Sequence, residues 1–151
     1  MEKKYYSFLL LIALVLSSCL KSNLEDLPVY DQAAISNIRF EYRWWDESAK
    51  QLRVKSMNVE KQVDEENSIV SCVITVPATD NTFTSNIREK VSLSGLAANV
   101  DISTAAKIQP VGNSPQLGVM ADFSAKDFTY EVTAANGNKR TWKIKITNFI
   151  K

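Results

Sequence analysis

Phe128, Tyr130, Val132 and Ala134 put an apolar side chain at every second position. Trp142, Ile144 and Ile146 resume the same period after an Asn136-Gly137 pair, alternating there with Thr141, Lys143, Lys145 and Thr147. A period of two belongs to an extended strand with one face buried. Asn-Gly favours tight turns between such strands because both residues tolerate positive φ. The two runs therefore read as an antiparallel hairpin, with Tyr130, Val132, Trp142, Ile144 and Ile146 turned toward a core. A hairpin alone is marginally stable in water, so the rest of the chain must supply more strands.

Those strands are legible upstream. Ile38, Phe40, Tyr42 and Trp44 alternate with Arg39, Glu41, Arg43 and Trp45, and a polar turn follows from Asp46 to Lys50. Leu52 to Val59 reads as a second, less regular strand. Ser68 to Val76 is rich in β-branched residues and apolar on both faces, the pattern of a central strand. Pro77 ends it, since proline cannot donate to a ladder. Val91 to Leu93 and Asn99 to Ile102 read as two short strands around Gly95. Ser103 to Asp127 contains Pro110, Gly112, Pro115 and Gly118, which favour turns over a long helix. No segment after residue 34 keeps a helical period. The expected fold is all-β, an Ig-like β-sandwich over residues 35–151.

The first residues have another purpose. Lys3 and Lys4 precede a nearly unbroken apolar run from Phe8 to Leu16, too short for a transmembrane helix, which takes about 20 apolar residues, but ordinary for a signal peptide. Leu16-Ser17-Ser18-Cys19 resembles the lipobox of bacterial lipoproteins. The resemblance implies cleavage after residue 18, acylation of Cys19 and a lipidated tether over residues 19–34. Two or more acyl chains anchor stably, at roughly 0.8 kcal/mol for each buried CH₂. The expected location is the outer membrane, lipid-anchored. Glu25 and Asp26 behind the cysteine resemble the acidic residues that favour surface export in Bacteroidetes lipoproteins; a plain solvated linker is the competing reading.

Composition excludes several kinds of chemistry. The chain has 18 basic and 17 acidic residues. Removing Glu2, Lys3 and Lys4 with the leader balances the signs, so no basic field exists to hold nucleic acid. There is no histidine, which removes Ser–His and Cys–His catalysis. With Cys19 acylated, Cys72 has no partner for an intramolecular disulfide. On its strand it reads as a small buried hydrophobe. The acidic run Asp64, Glu65 and Glu66 could offer oxygen ligands to calcium, but it lacks EF-hand spacing and reads as a solvated loop. Asp122 reads as a turn carboxylate accepting backbone N–H groups. No metal and no cofactor is expected.

The C-terminal half also carries a resemblance. Pro110-Val111-Gly112, Ala121-Asp122-Phe123-Ser124, Tyr130-Glu131-Val132-Thr133-Ala134-Ala135-Asn136-Gly137 and Trp142-Lys143-Ile144-Lys145-Ile146 resemble a pattern of small Ig-like, cadherin-like sandwich domains in Bacteroidetes surface lipoproteins. Ile69 to Pro77 suits the earlier I-T-V-P strand of that pattern, so the likeness covers residues 69–147. The interval from Gly112 to Asp122 is longer than in the family. The resemblance implies a sandwich linked to glycan capture and brings no catalytic residues.

The candidate ligand-binding residues are Trp45 and Tyr42. Adjacent Trp44 and Trp45 must face opposite sides of a strand. With Trp44 in register with Phe40 and Tyr42, alternation sends Trp45 outward, where an indole could stack on a sugar ring. The competing reading packs Trp45 beneath a loop or the tether. The expected function is a membrane-anchored, non-catalytic binding module for glycan. The alternative is a structural or assembly lipoprotein that binds an envelope protein, which an apolar unpaired strand edge would favour. A carboxylate-pair hydrolase would require two acids facing each other across a cleft.

Overall fold

The computed structural model describes residues 30–151. The expected signal peptide, Cys19 and most of the expected tether lie outside the described residues.

Among the described residues, nine strands form two sheets. β1 (Ile35–Asp46), β2 (Gln51–Ser56), β5 (Leu96–Ile102) and β7 (Met120–Ala121) form one, in the order β2-β1-β5-β7. The other has the order β3-β4-β9-β8-β6, from β3 (Asn58–Asp64), β4 (Ile69–Thr75), β6 (Lys107–Val111), β8 (Asp127–Thr133) and β9 (Lys139–Ile150). β4 runs parallel to β9, and every other pairing is antiparallel. β5-β7 opposite β6-β8-β9 reproduces the B-E and C-F-G arrangement of an Ig-like sandwich.

The hairpin sets the core. Tyr130 lies opposite Trp142, and Phe128 opposite Ile144. Phe128, Tyr130, Val132, Trp142, Ile144 and Ile146 are all buried, as the alternation requires. They meet Ile35, Ile38 and Phe40 of β1, Leu96 and Ala98 of β5, and Val70, Cys72 and Ile74 of β4. Phe123 packs edge-on against both Phe40 and Phe128, with ring centroids 5.4 Å apart in each pair. The connection between β8 and β9 spans residues 134–138, and Gly137 takes φ +90° there. Burial raises the Cys72 thiol to about 11, so at neutral pH it is a packed hydrophobe.

Several sequence expectations need correction. The span Leu52 to Val59 is two strands in different sheets. Met57 is buried between them, and its N–H donates to the Phe40 carbonyl at 2.8 Å. The chain crosses from one layer to the other at that residue, which explains the irregular alternation. Val91 to Leu93 is no strand: Leu93–Gly95 forms a 3-10 turn, and β5 begins directly after it at Leu96. Both Val91 and Leu93 are buried, so their apolar character comes from core packing. The vague stretch from Ser103 onward holds β6, including Pro110. β6 is an edge strand, where a missing N–H is tolerated. A short helix, α1 (Ser85–Lys90), is too brief to show a period. Among the described residues, no helix is long and apolar enough to cross a membrane.

Candidate functional site

β1 and β2 form a two-stranded extension that ends in the turn Glu47–Lys50. Its register pairs Tyr42 with Lys55, Trp44 with Arg53, and Trp45 with Leu52. Alternation puts Tyr42 and Trp44 on the face continuous with Phe40. Their rings stack at 6.0 Å with 19° between planes. Trp44 also packs against buried Phe83 at 5.8 Å. Trp45 points the other way and is 53% exposed. Among the described residues no loop covers it, and most of the expected tether lies outside them. Tyr42 and Trp45 do not share a face; the aromatic partner of Tyr42 is Trp44.

A groove of about 580 Å³ opens at this end of the sandwich. The stacked rings of Tyr42 and Trp44 line it, Trp45 also lines it although its side chain leaves the opposite face of β1, and Asp46, Ser48 and Arg53 complete this end. Asn81, Thr82, Ile87 and Lys90 complete the lining. The volume falls in the range of small-molecule sites, roughly 300–1,000 Å³, and the lining is more polar than is usual for such sites.

Two aspartates hold the groove in shape. Asp80 Oδ1 accepts the N–H groups of Thr82 and Phe83 at 2.8 and 2.7 Å, while Lys55 Nζ donates to Oδ2 at 2.6 Å. The Lys55 ammonium and these N–H groups hold the Asp80 carboxyl well below the usual carboxylate range. Lys55 also lies 5.5 Å from the Phe83 ring centroid. The wall of Asn81 and Thr82 is thereby fastened to β2 and to the core. At the tip, Asp46 Oδ1 accepts the Ser48 hydroxyl at 2.6 Å and the Ala49 N–H at 3.1 Å. Arg53 Nε donates to Asp46 Oδ2 at 3.1 Å. These bonds, the Ser48 hydroxyl foremost, lower the Asp46 carboxyl to about 2 from an ordinary 3.8.

The sign of that shift fixes a pH dependence. A depressed carboxylate contributes stability above its unfolded value and loses it as pH falls through the folded one. The turn is therefore expected to loosen as pH drops from about 4 toward 2. Amide resonances of Ser48 and Ala49 should titrate over that window. Asp46→Asn should remove the titration, and an unchanged titration in that variant would assign it to another group.

Trp45 belongs to an exposed apolar cluster that the alternation of β1 alone does not reveal. Leu52 lies directly opposite it and is 59% exposed. Val54, opposite Arg43, is 50% exposed. All three lie on the outer face of the extension, and β2 is the edge strand of its sheet. The signal was available: folding the chain about Glu47–Lys50 brings Leu52 back beside Trp45.

The remaining candidates take structural places. Asp64 accepts the Asn67 backbone N–H at 3.0 Å and its side-chain amide at 2.9 Å, closing the loop after β3. Among the described residues, no cluster of acidic or cysteine side chains could hold a metal. Asp122 accepts the Ser124 N–H at 2.8 Å, as a turn carboxylate.

Residues 35–145 match the family described as DUF5018-related. The chain belongs to that family. The DUF5018-related chain is also similar to the crystal structure of a Bacteroides fragilis protein described as secreted. The two share 33% sequence identity, and the alignment covers 82% of this chain and 100% of that one with a TM-score of 0.74. No curated protein matches the DUF5018-related chain.

Proposed function

We propose that this DUF5018-related protein is an exported, lipid-anchored module of the bacterial envelope that binds glycan without turning it over. The observation that carries the glycan reading is the groove at the β1–β2 tip. The stacked pair Tyr42 and Trp44 lines it together with Trp45 and with polar groups from Asp46, Arg53, Asn81 and Thr82. A sugar ring offers C–H groups on its face and hydroxyls on its rim, which suits that pairing. The groove is also well placed. The described chain enters beside the β8–β9 turn, where the Asn136 N–H donates to the Tyr30 carbonyl at 3.2 Å. β1 then runs from Ile35 toward Trp45, on the order of 33 Å at the usual strand rise. A tether attached at Cys19 would present the groove at the far pole.

Export agrees with the likeness to a Bacteroides fragilis protein described as secreted. The non-catalytic reading is supported by the absence of histidine and by the buried, protonated Cys72. A glycosidic general acid needs a raised carboxyl pKa. Asp46, Asp64, Asp80, Asp101, Asp122 and Glu131 are all shifted downward. A second reading, docking of an envelope protein, is favoured by exposed Leu52 and Val54 on the edge strand β2.

Anchoring and binding are tested separately. Cys19→Ser should abolish metabolic labelling by fatty acid and move the protein from the membrane to the soluble fraction. Labelling that persists in that variant overturns the lipid anchor. A panel of polysaccharides in affinity electrophoresis tests the groove, and retention by none of them favours the protein-docking reading.

A further inference from the structure

The ligand class that fits the groove follows from the one charged residue in its lining that has no ion-pair partner among the described residues. Among the described residues, four charged side chains line it: Asp46, Glu47, Arg53 and Lys90. Three have partners within the protein. Asp46 and Arg53 pair at 3.1 Å, and Asp46 is further saturated by Ser48 and Ala49. Glu47 pairs with Lys50 at 2.9 Å. Lys90 takes part in none of the ion pairs among the described residues. Its neighbour Glu89 forms no ion pair with it and lines a separate depression with Ala78, Thr79, Ser85 and Arg88. The groove therefore carries one ammonium outside any ion pair among the described residues, on the last residue of α1 and close to Ile87.

Resting on the glycan reading, we propose that the groove selects an anionic saccharide, with its ring against the aromatic side and its carboxylate or sulfate on Lys90. An ammonium is a compact point charge that accepts either anion without a fixed geometry, and a charge-assisted hydrogen bond is stronger than a neutral one. A neutral sugar would offer Lys90 only hydroxyl oxygens, which accept more weakly than a carboxylate or sulfate does. The aromatic side supplies contact with the ring, and the lysine supplies discrimination among rings.

Affinity electrophoresis of the detergent-solubilised full-length protein tests this. The anionic probes are polygalacturonate, which carries carboxylates, and chondroitin sulfate, which carries sulfate as well. The neutral probes are dextran and galactan. Retention is expected with one or both anionic polymers and not with the neutral ones, and it should weaken as salt rises. Lys90→Gln should weaken retention about tenfold, or roughly 1.4 kcal/mol, while Lys90→Arg keeps most of it. Lys90 is exposed at a helix end, so thermal melting of Lys90→Gln should match the parent. Retention by polygalacturonate assigns the anion as carboxylate; retention by chondroitin sulfate alone assigns it as sulfate. Equal retention by neutral and anionic polymers, or anionic retention unchanged by Lys90→Gln, overturns the inference and leaves the glycan groove standing. Retention by no polymer overturns both.

Discussion

Trp142→Ala is expected to destabilise the domain by about 3–5 kcal/mol, the range for truncating a buried tryptophan or phenylalanine. Trp142 is fully buried, at 0% exposure, on the inner face of β9 and opposite Tyr130. Its Nε1–H donates to the Ala33 carbonyl at 2.9 Å, and the Arg140 guanidinium lies 5.2 Å from its ring centroid. Alanine would leave a cavity between the sheets and an unpaired carbonyl on the segment that leads into β1. Small domains are stable by only about 5–15 kcal/mol, so the variant should melt far below the parent. Trp142→Phe separates the two contributions, because it keeps most of the volume and removes the donor. Its expected cost above the packing loss is about 1 kcal/mol. Urea unfolding of both variants measures the difference. A loss below about 1 kcal/mol for Trp142→Ala would place the indole at the surface and contradict its position between the sheets.

The same hairpin shows why part of the fold could be read from sequence. Strict alternation leaves one register in which Tyr130, Val132, Trp142, Ile144 and Ile146 all point inward, since a one-residue slip would expose them. Ser68 to Val76 was legible as a central strand from its apolar residues on both faces, a pattern that does not single out Val70, Cys72 and Ile74 as the fully buried face. Met57 was not legible. Its burial reflects a crossing between layers, and a single apolar residue between two polar-faced strands carries no period. β6 was hidden by Pro110, which counts against a central strand and is tolerated at an edge. Val91 and Leu93 misled because a buried connection and a strand share apolar composition. The site divides likewise. The parity of Trp44 and Trp45 along β1 put Trp45 outside, as observed. By that same parity Tyr42 and Trp45 leave opposite faces of β1, although both line the groove. Asn81, Thr82, Ile87 and Lys90 reach the groove only through the Lys55–Asp80 contact and the packing of Phe83. No local pattern announces a contact between residues so far apart in sequence.

Trp45→Ala should leave stability nearly unchanged and remove glycan retention. Substitutions at exposed positions usually stay within about 0.5 kcal/mol, and Trp45 is 53% exposed on the outer face of the extension. Its cross-strand partner there is Leu52, itself exposed. A tryptophan that anchors a ligand contributes about 2 kcal/mol or more when truncated, or roughly thirtyfold in affinity. Binding and stability should therefore separate at this residue. Trp44→Ala supplies the contrast. Trp44 stacks on Tyr42 and packs against Phe83 within the cluster around the core, so its loss should lower the melting temperature as well as retention. Melting curves and affinity electrophoresis on the same preparations give both readouts. If Trp45→Ala loses stability by the roughly 3–5 kcal/mol of a core tryptophan, the residue is structural and the aromatic side of the groove rests on Trp44 and Tyr42. If neither stability nor retention changes, Trp45 is an exposed residue without a ligand role. Together with exposed Leu52 and Val54 it would then mark an apolar edge suited to a partner strand.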